Sequence, residues 1–188
     1  MKQTDLDDLQ KHISGCMGCV LGKTRTNLVF GQGNPNAEIM FVGEAPGADE
    51  DRQGLPFVGR AGKLLNQLLA DIGIRREDVY IGNIIKCRPP ENRDPLPAEI
   101  VACKEYLSAQ IAIIAPRVLC TLGRHAAITL FGNPDFKISK EHGLPFRWQG
   151  ITAMPMYHPA AALHQPNFMV GLRYDFAQLK KLIETEII

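Results

Sequence analysis

Neither sign of charge prevails in this sequence, no apolar run is long, and nothing repeats. Lysine and arginine number 21 against 20 aspartates and glutamates. The total charge therefore argues neither for nor against a polyanionic partner, and any such contact must come from a local patch. No window approaches the roughly 20 apolar residues of a membrane span, and the acidic opening "MKQTDLDDLQ" lacks the apolar core of a secretory signal. These absences predict a cytoplasmic protein with no membrane partner. Low-complexity tracts and internal linkers are missing too. The 188 residues are most simply one domain, 1–188, and a chain of that size buries roughly two-thirds of its unfolded surface.

What is present alternates. Four apolar runs, 38–43 ("EIMFVG"), 79–84 ("VYIGNI"), 117–123 ("RVLCTLG") and 151–157 ("ITAMPMY"), are separated by helical periodicity at 60–72, 97–115 and 124–131. A first helix is expected over Asp5 to Ser14, and a closing one over roughly 171–184 with Leu172, Phe176, Leu179 and Ile183 on one face. Runs apolar at nearly every position suit strands covered on both faces. The pattern predicts an α/β fold, a three-layer α/β/α sandwich around a central four-stranded parallel sheet.

Ligands of such sheets bind beyond the carboxyl ends of the strands. The polar residues there are Glu44, Asn83, the pair Arg124 and His125, and His158. Glu44, Asn83 and His158 form a set of carboxylate, amide and imidazole. Each also has a plainer explanation: Glu44 accepting amides of its own loop, Asn83 capping a turn, His158 as a structural histidine before proline. The loop after the first strand, "GEAPGADEDRQGLPFVG" at 43–59, has the glycines of a phosphate cradle, yet it is acidic and has no Gly-Lys-Ser/Thr. Phe57 within it reads equally as a core residue or a stacking one.

In a reducing compartment the five cysteines are buried residues or ligands rather than disulfides. Cys16 and Cys19 form a CxxC in a glycine-rich loop. Cys87 and Cys103 flank "RPPENRDPLP" and can complete a four-thiolate set for a zinc ion or a [4Fe–4S] cluster. The alternative is a redox-active CxxC beside two buried cysteines, against which stands its irregular loop. Cys120, in "VLCTL", reads as a small apolar strand residue.

Taken in order, "GEAPG", "GLPFVGRAG", "NIIKCRPPENRDP" and "YHPAAALHQP", with Cys16, Cys19, Cys87 and Cys103, resemble the iron–sulfur uracil-DNA glycosylases of family 4 over nearly the whole chain. The resemblance implies the uracil-DNA glycosylase fold and hydrolysis of the deoxyuridine N-glycosidic bond, leaving an abasic site for base excision repair. It implies a [4Fe–4S] cluster on Cys16, Cys19, Cys87 and Cys103, a structural group that pins the N-terminal loop, 15–37, to the domain. Such cleavage builds positive charge on the sugar and negative charge on the leaving base, which gives an acidic loop a purpose. Glu44 would serve the sugar cation.

By the same resemblance Phe57 stacks on the uracil, Asn83 reads its edge and His158 donates to the oxygen that gathers charge. Glu50 fills the space of a thymine methyl, and backbone groups of Gly43 and Ala45 touch the base. Leu163 is the wedge that replaces the extruded nucleotide. Lys86 and Arg88, with Arg93, Lys137 and Lys140, form the phosphate-facing patch, ordinary surface charge being the plain alternative. Asp49 and Asp51 remain solvated charges or helix caps. Ala45 stands where the best-known uracil glycosylases outside the family have a water-orienting aspartate, so either Glu44 positions the water or the path is dissociative. His142 and His164 stand where the family commonly has arginine.

The expected partner is uracil-containing DNA, single- or double-stranded, met by a monomer. Rival readings are a glycosylase chiefly for other deaminated bases, a non-catalytic nucleic-acid-binding module with a four-cysteine metal site, and an electron carrier, for which the strand-end set would have no use. The final "IETEII" reads as a docking tail or a frayed helix end.

Overall fold

Helices and strands fall where the apolar pattern puts them, with additions at both sheet edges and inside the loops. The computed structural model describes residues 1–186; Ile187 and Ile188 of the "IETEII" tail lie outside the described residues. In chain order the strands are β1 (Gln32–Gly33), β2 (Ile39–Gly43), β3 (Tyr80–Asn83), β4 (Val118–Leu122), β5 (Phe146–Trp148) and β6 (Ile151–Met156). The helices are α1 (Lys2–Ile13), α2 (Ala48–Gln53), α3 (Arg60–Asp71), α4 (Pro97–Ile114), α5 (Arg124–Phe131), α6 (Ile138–Glu141), α7 (Pro159–His164) and α8 (Pro166–Glu186).

The sheet corrects the expectation of four parallel strands. It has six, in the order β1-β3-β2-β4-β6-β5, and is mixed. β3, β2, β4 and β6 run parallel, with Met40 opposite Tyr80, Ile39 opposite Val118 and Val118 opposite Thr152. The two edge strands are antiparallel to their neighbours. β1 is two residues long, too short to leave a pattern; it follows Gly31 and ends on Gly33, with φ of +132 and +143. β5 joins β6 through Gln149 and Gly150, both at positive φ, the two-residue hairpin that matches strand twist.

Both faces of the sheet are covered, as buried parallel strands require. On one face Phe41, Ile81, Cys120 and Met154 pack against Leu65 and Leu69 of α3 and Leu172, Phe176 and Leu179 of α8. On the other, Met40, Val42, Tyr80 and Leu119 meet Leu6 and Ile13 of α1, Leu107 and Ile111 of α4 and Ala126 of α5. α4 ends at Ala115, which adopts a left-handed φ of 45 because Pro116 disfavours further helix. The layers leave the carboxyl ends of β2, β3, β4 and β6 opening on one side.

Candidate active site

The acidic loop is a scaffold before it is a surface. Leaving β2, the chain turns through Glu44 to Gly47 into α2, whose first turn holds Asp49, Glu50 and Asp51. Acidic groups suit the positive end of a helix. Glu50 reaches back to the amide of Gly47 and forward to those of Val58 and Gly59, at 3.1, 2.8 and 2.8 Å. Asp51, expected as a solvated charge or cap, is buried instead. Its carboxylate accepts from the amides of Thr26 and Asn27 and ties the N-terminal segment to α2. Asp49 pairs with Arg52 on the surface.

These ties hold Phe57 in an unusual place. Its φ is +51, a conformation that costs a bulky residue about 1–3 kcal/mol and persists only where neighbours over-determine it. Arg76 supplies the constraint, its guanidinium donating to the carbonyls of Pro56 and Phe57 at 2.5 and 3.0 Å. A Cβ on Gly62 would run into the Phe57 carbonyl. The ring itself is buried and lies over Gly43, where an added Cβ would come within 2.7 Å of it. No sequence signal identified Arg76 as the clamp.

Asn83 ends β3 beside that ring. It is buried at 2% exposure, and its Oδ1 has no hydrogen-bond partner among the described residues. A Cβ on Gly43 would lie 2.5 Å from that oxygen. Gly43 therefore lets the Phe57 ring and the unpaired Asn83 oxygen close directly on the β2 backbone. Leaving a buried acceptor unmade costs about 1–3 kcal/mol, a cost that a ligand donor would remove.

His158 joins this group from just past the end of β6. Its ring faces Phe57 at 5.7 Å, and Nδ1 accepts the amide of Ala160 at 3.0 Å, capping α7. With Nδ1 an acceptor, the ring proton sits on Nε2. Burial pushes the imidazole pKa down to about 4, against the opposing pull of Glu50. The histidine is neutral near pH 7 and presents one N–H donor. The structure thus brings Gly43, Phe57, Asn83 and His158 together.

Glu44, half-buried, lines with Ala45, Arg93 and His158 a cleft of about 330 Å³. Burial raises its pKa, His125 lowers it and Asp94 raises it. Its backbone carbonyl takes the amide of Ile85, and among the described residues nothing hydrogen-bonds its carboxylate. Arg88, half-buried, bonds Asn92, and Arg93 pairs with the buried Glu99 that caps α4. Leu163 and His164 lie side by side on α7, half-buried and exposed. A larger cavity, about 570 Å³ between α4, α5 and the β5–β6 hairpin, carries none of these groups.

Lys86, an expected phosphate contact, and His142, one of the two histidines standing where the family commonly has arginine, are both held inward. Lys86 is 1% exposed and donates to the Asn83 carbonyl and to Gln110, which in turn donates to Phe30 and Tyr80. Buried without that network it would be prohibitively costly; with it, Lys86 is a strut under β3. His142 lies at 2.5 Å from the fully buried Asp175, whose other oxygen accepts the amide of Tyr157. It braces the strand end that carries His158.

The four cysteines meet between α1, α4 and the loop after β3. Arg25 donates to the Cys16 carbonyl and to the Cys87 sulfur, Gly18 lies against Cys16 and Ala102, and Tyr106 contacts the Cys16 sulfur. Burial raises the Cys87 thiol and brings Cys103 up to about 11, and charge on neighbouring cysteines adds to both. No three of these sulfurs fall within 4.8 Å of one another among the described residues. Cys120 is buried apart, in β4.

With this geometry the chain matches the family model "Uracil DNA glycosylase superfamily" over residues 30–179. It is 49% identical over 184 residues to the type-4 uracil-DNA glycosylase of Archaeoglobus fulgidus, covering 94% of this chain and 92% of that one. Similar enzymes from Sulfurisphaera tokodaii and Saccharolobus solfataricus are 47% and 46% identical, covering 96% and 97% of this chain and 86% and 88% of theirs. The chain belongs to the uracil-DNA glycosylase superfamily, among its type-4 members.

Proposed function

We propose that the protein is a DNA-repair glycosylase that hydrolyses the N-glycosidic bond of deoxyuridine and releases uracil. The observation that carries this reading is the buried, unpaired Asn83 Oδ1 beside Gly43 and Phe57, with the neutral His158 ring facing Phe57. Uracil has a donor at N3 flanked by two carbonyl oxygens. Asn83 accepts from N3–H and offers its NH₂ to O4, while His158 donates to O2. Cytosine has an acceptor at N3 and fails the match.

The rest of the site follows from the charges that develop. As the C1′–N1 bond breaks, negative charge collects on the base and positive charge on the sugar. A neutral donor that needs no reorganisation stabilises the first. The Glu44 carboxylate faces the second and, with Ala45 unable to help, orients the water. Glu50, fixed by three amides, walls off a C5 methyl, and backbone of Gly43 and Ala45 borders the base. Leu163 fills the stack left by the extruded nucleotide, and Arg88 contacts phosphate.

Cys16, Cys19, Cys87 and Cys103 would hold a [4Fe–4S] cluster. Among the described residues no three of their sulfurs lie within 4.8 Å of one another, a spacing that suits a cubane with its thiolates on separate irons better than one tetrahedral ion with bonds of about 2.3 Å. When bound, the group supplies a cross-link between the 15–37 loop and α4, not chemistry at the bond cut. The experiment is cleavage of a labelled duplex with a single uracil, followed by hot alkali, with a thymine duplex as control. Scission only at uracil is expected. An intact uracil strand after incubation with folded, iron-loaded protein would sink the reading.

A further inference from the structure

Three ionisable groups meet at Glu44, of which the reaction above uses one. Glu44, Asp94 and His125 each bring a side-chain N or O within 4.8 Å of the others, and His125 Nε2 lies 3.5 Å from Asp94 Oδ2. They come from separate segments: the end of β2, the loop before α4 and the first turn of α5. Three distant stretches thus converge on one carboxylate. The other charged or titratable groups on the cleft that Glu44 lines are Arg93 and His158. Both Arg93 terminal nitrogens serve Glu99, and His158 is neutral. His125 is the group placed to lend Glu44 a positive charge.

Resting on the glycosylase reading, we propose that His125, with Asp94 as its orienting partner, is a positioning residue for Glu44 that holds the side chain in the cleft as a carboxylate. The arrangement follows base-and-orienter logic, in which a third group fixes the second. Its electrostatics have a clear sign. Burial pushes the Glu44 pKa up, so its charge is lost at a higher pH than for an exposed glutamate, and His125 opposes that loss. In the balanced hydrolysis, the water oxygen bonds to C1′ and the C1′–N1 pair leaves with uracil. The proton shed by the water passes through the Glu44 carboxylate to the uracil anion or solvent. Only ionised Glu44 can take it.

The test is the pH profile of single-turnover cleavage of a single-stranded uracil oligonucleotide, from about pH 4.5 to 8.5. His125 and Asp94 are exposed, so their variants are expected to melt with the wild type. In His125→Gln, burial and Asp94 act unopposed. The acid limb moves up by about one pH unit and the rate on that limb falls about tenfold. Adding Asp94→Asn to His125→Gln moves the limb back down, and His125→Lys, which restores the charge, keeps it near the wild-type position. An unmoved limb in His125→Gln overturns the proposal; if the rate also falls evenly at every pH, His125 contacts DNA instead. If Glu44→Gln retains full activity, Glu44 has no catalytic charge for His125 to hold and the proposal is overturned; if the wild type leaves uracil DNA intact, the glycosylase reading itself fails, a result separate from an unmoved limb.

Discussion

At the scale of single residues, recognition rests on something missing. Gly43 has no side chain to hold the Phe57 ring and the Asn83 oxygen off β2, and Asn83 leaves an acceptor unpaired. Replacing Gly43 with Ala puts a methyl 2.5 Å from the Asn83 oxygen, and uracil cleavage is expected to fall by about 100-fold or more, as misplacement at a reacting centre does. Asn83→Ala should separate stability from activity. It abolishes uracil release yet leaves the melting temperature unchanged or higher, because an unsatisfied buried acceptor is removed; calorimetry beside the cleavage assay checks both. Glu44, Asn83 and His158 were legible because strand ends are legible: the apolar runs stop there. Lys86 and Asp51 were not. A charged residue reads as surface unless its partners are known, and Gln110, the Asn83 carbonyl and the amides of Thr26 and Asn27 are supplied by the fold.

At the scale of elements, the loop from 43 to 59 works as one braced piece. Its glycines and acids suggested contact with a charged ligand, and two of its four carboxylates, Glu50 and Asp51, bind the chain's own amides. Arg76→Ala removes the brace from the Pro56 and Phe57 carbonyls and frees the strained Phe57 backbone. Stability is expected to fall by only about 1 kcal/mol, since released strain offsets lost hydrogen bonds. Cleavage at saturating substrate falls by more than stability predicts, and amide exchange at 56–59 quickens. The helices of the sandwich could be read in advance because a long apolar face repeats. Those of one or two turns, α2, α6 and α7, could not, because a single turn has no period to detect.

At the scale of the whole molecule, the cysteine cage ties the ends of the design together. Cys87→Ala is expected to lose iron and soluble protein together; iron retained at about four per chain, the full [4Fe–4S] complement, would remove Cys87 from the ligand set. Cys120→Ser is the control. It buries a hydroxyl in an apolar strand at a cost of about 1–3 kcal/mol, lowering the melting temperature while iron stays. The two-sided sandwich was readable from four apolar runs, but the sheet's edges were not, for they are too short to alternate.

Those edges have a consequence for how the protein keeps company with itself at high concentration. β1 offers two residues and β5 three, and Arg147 of β5 folds its guanidinium back onto Thr152 and the Gly150 carbonyl. A growing β-stack needs a long, flat rim of unpaired amides and carbonyls on which the next chain can lay a strand. This sheet stops on both sides before such a rim exists, so its apolar central strands, the segments most apt to nucleate fibrils, stay walled in for as long as the fold holds.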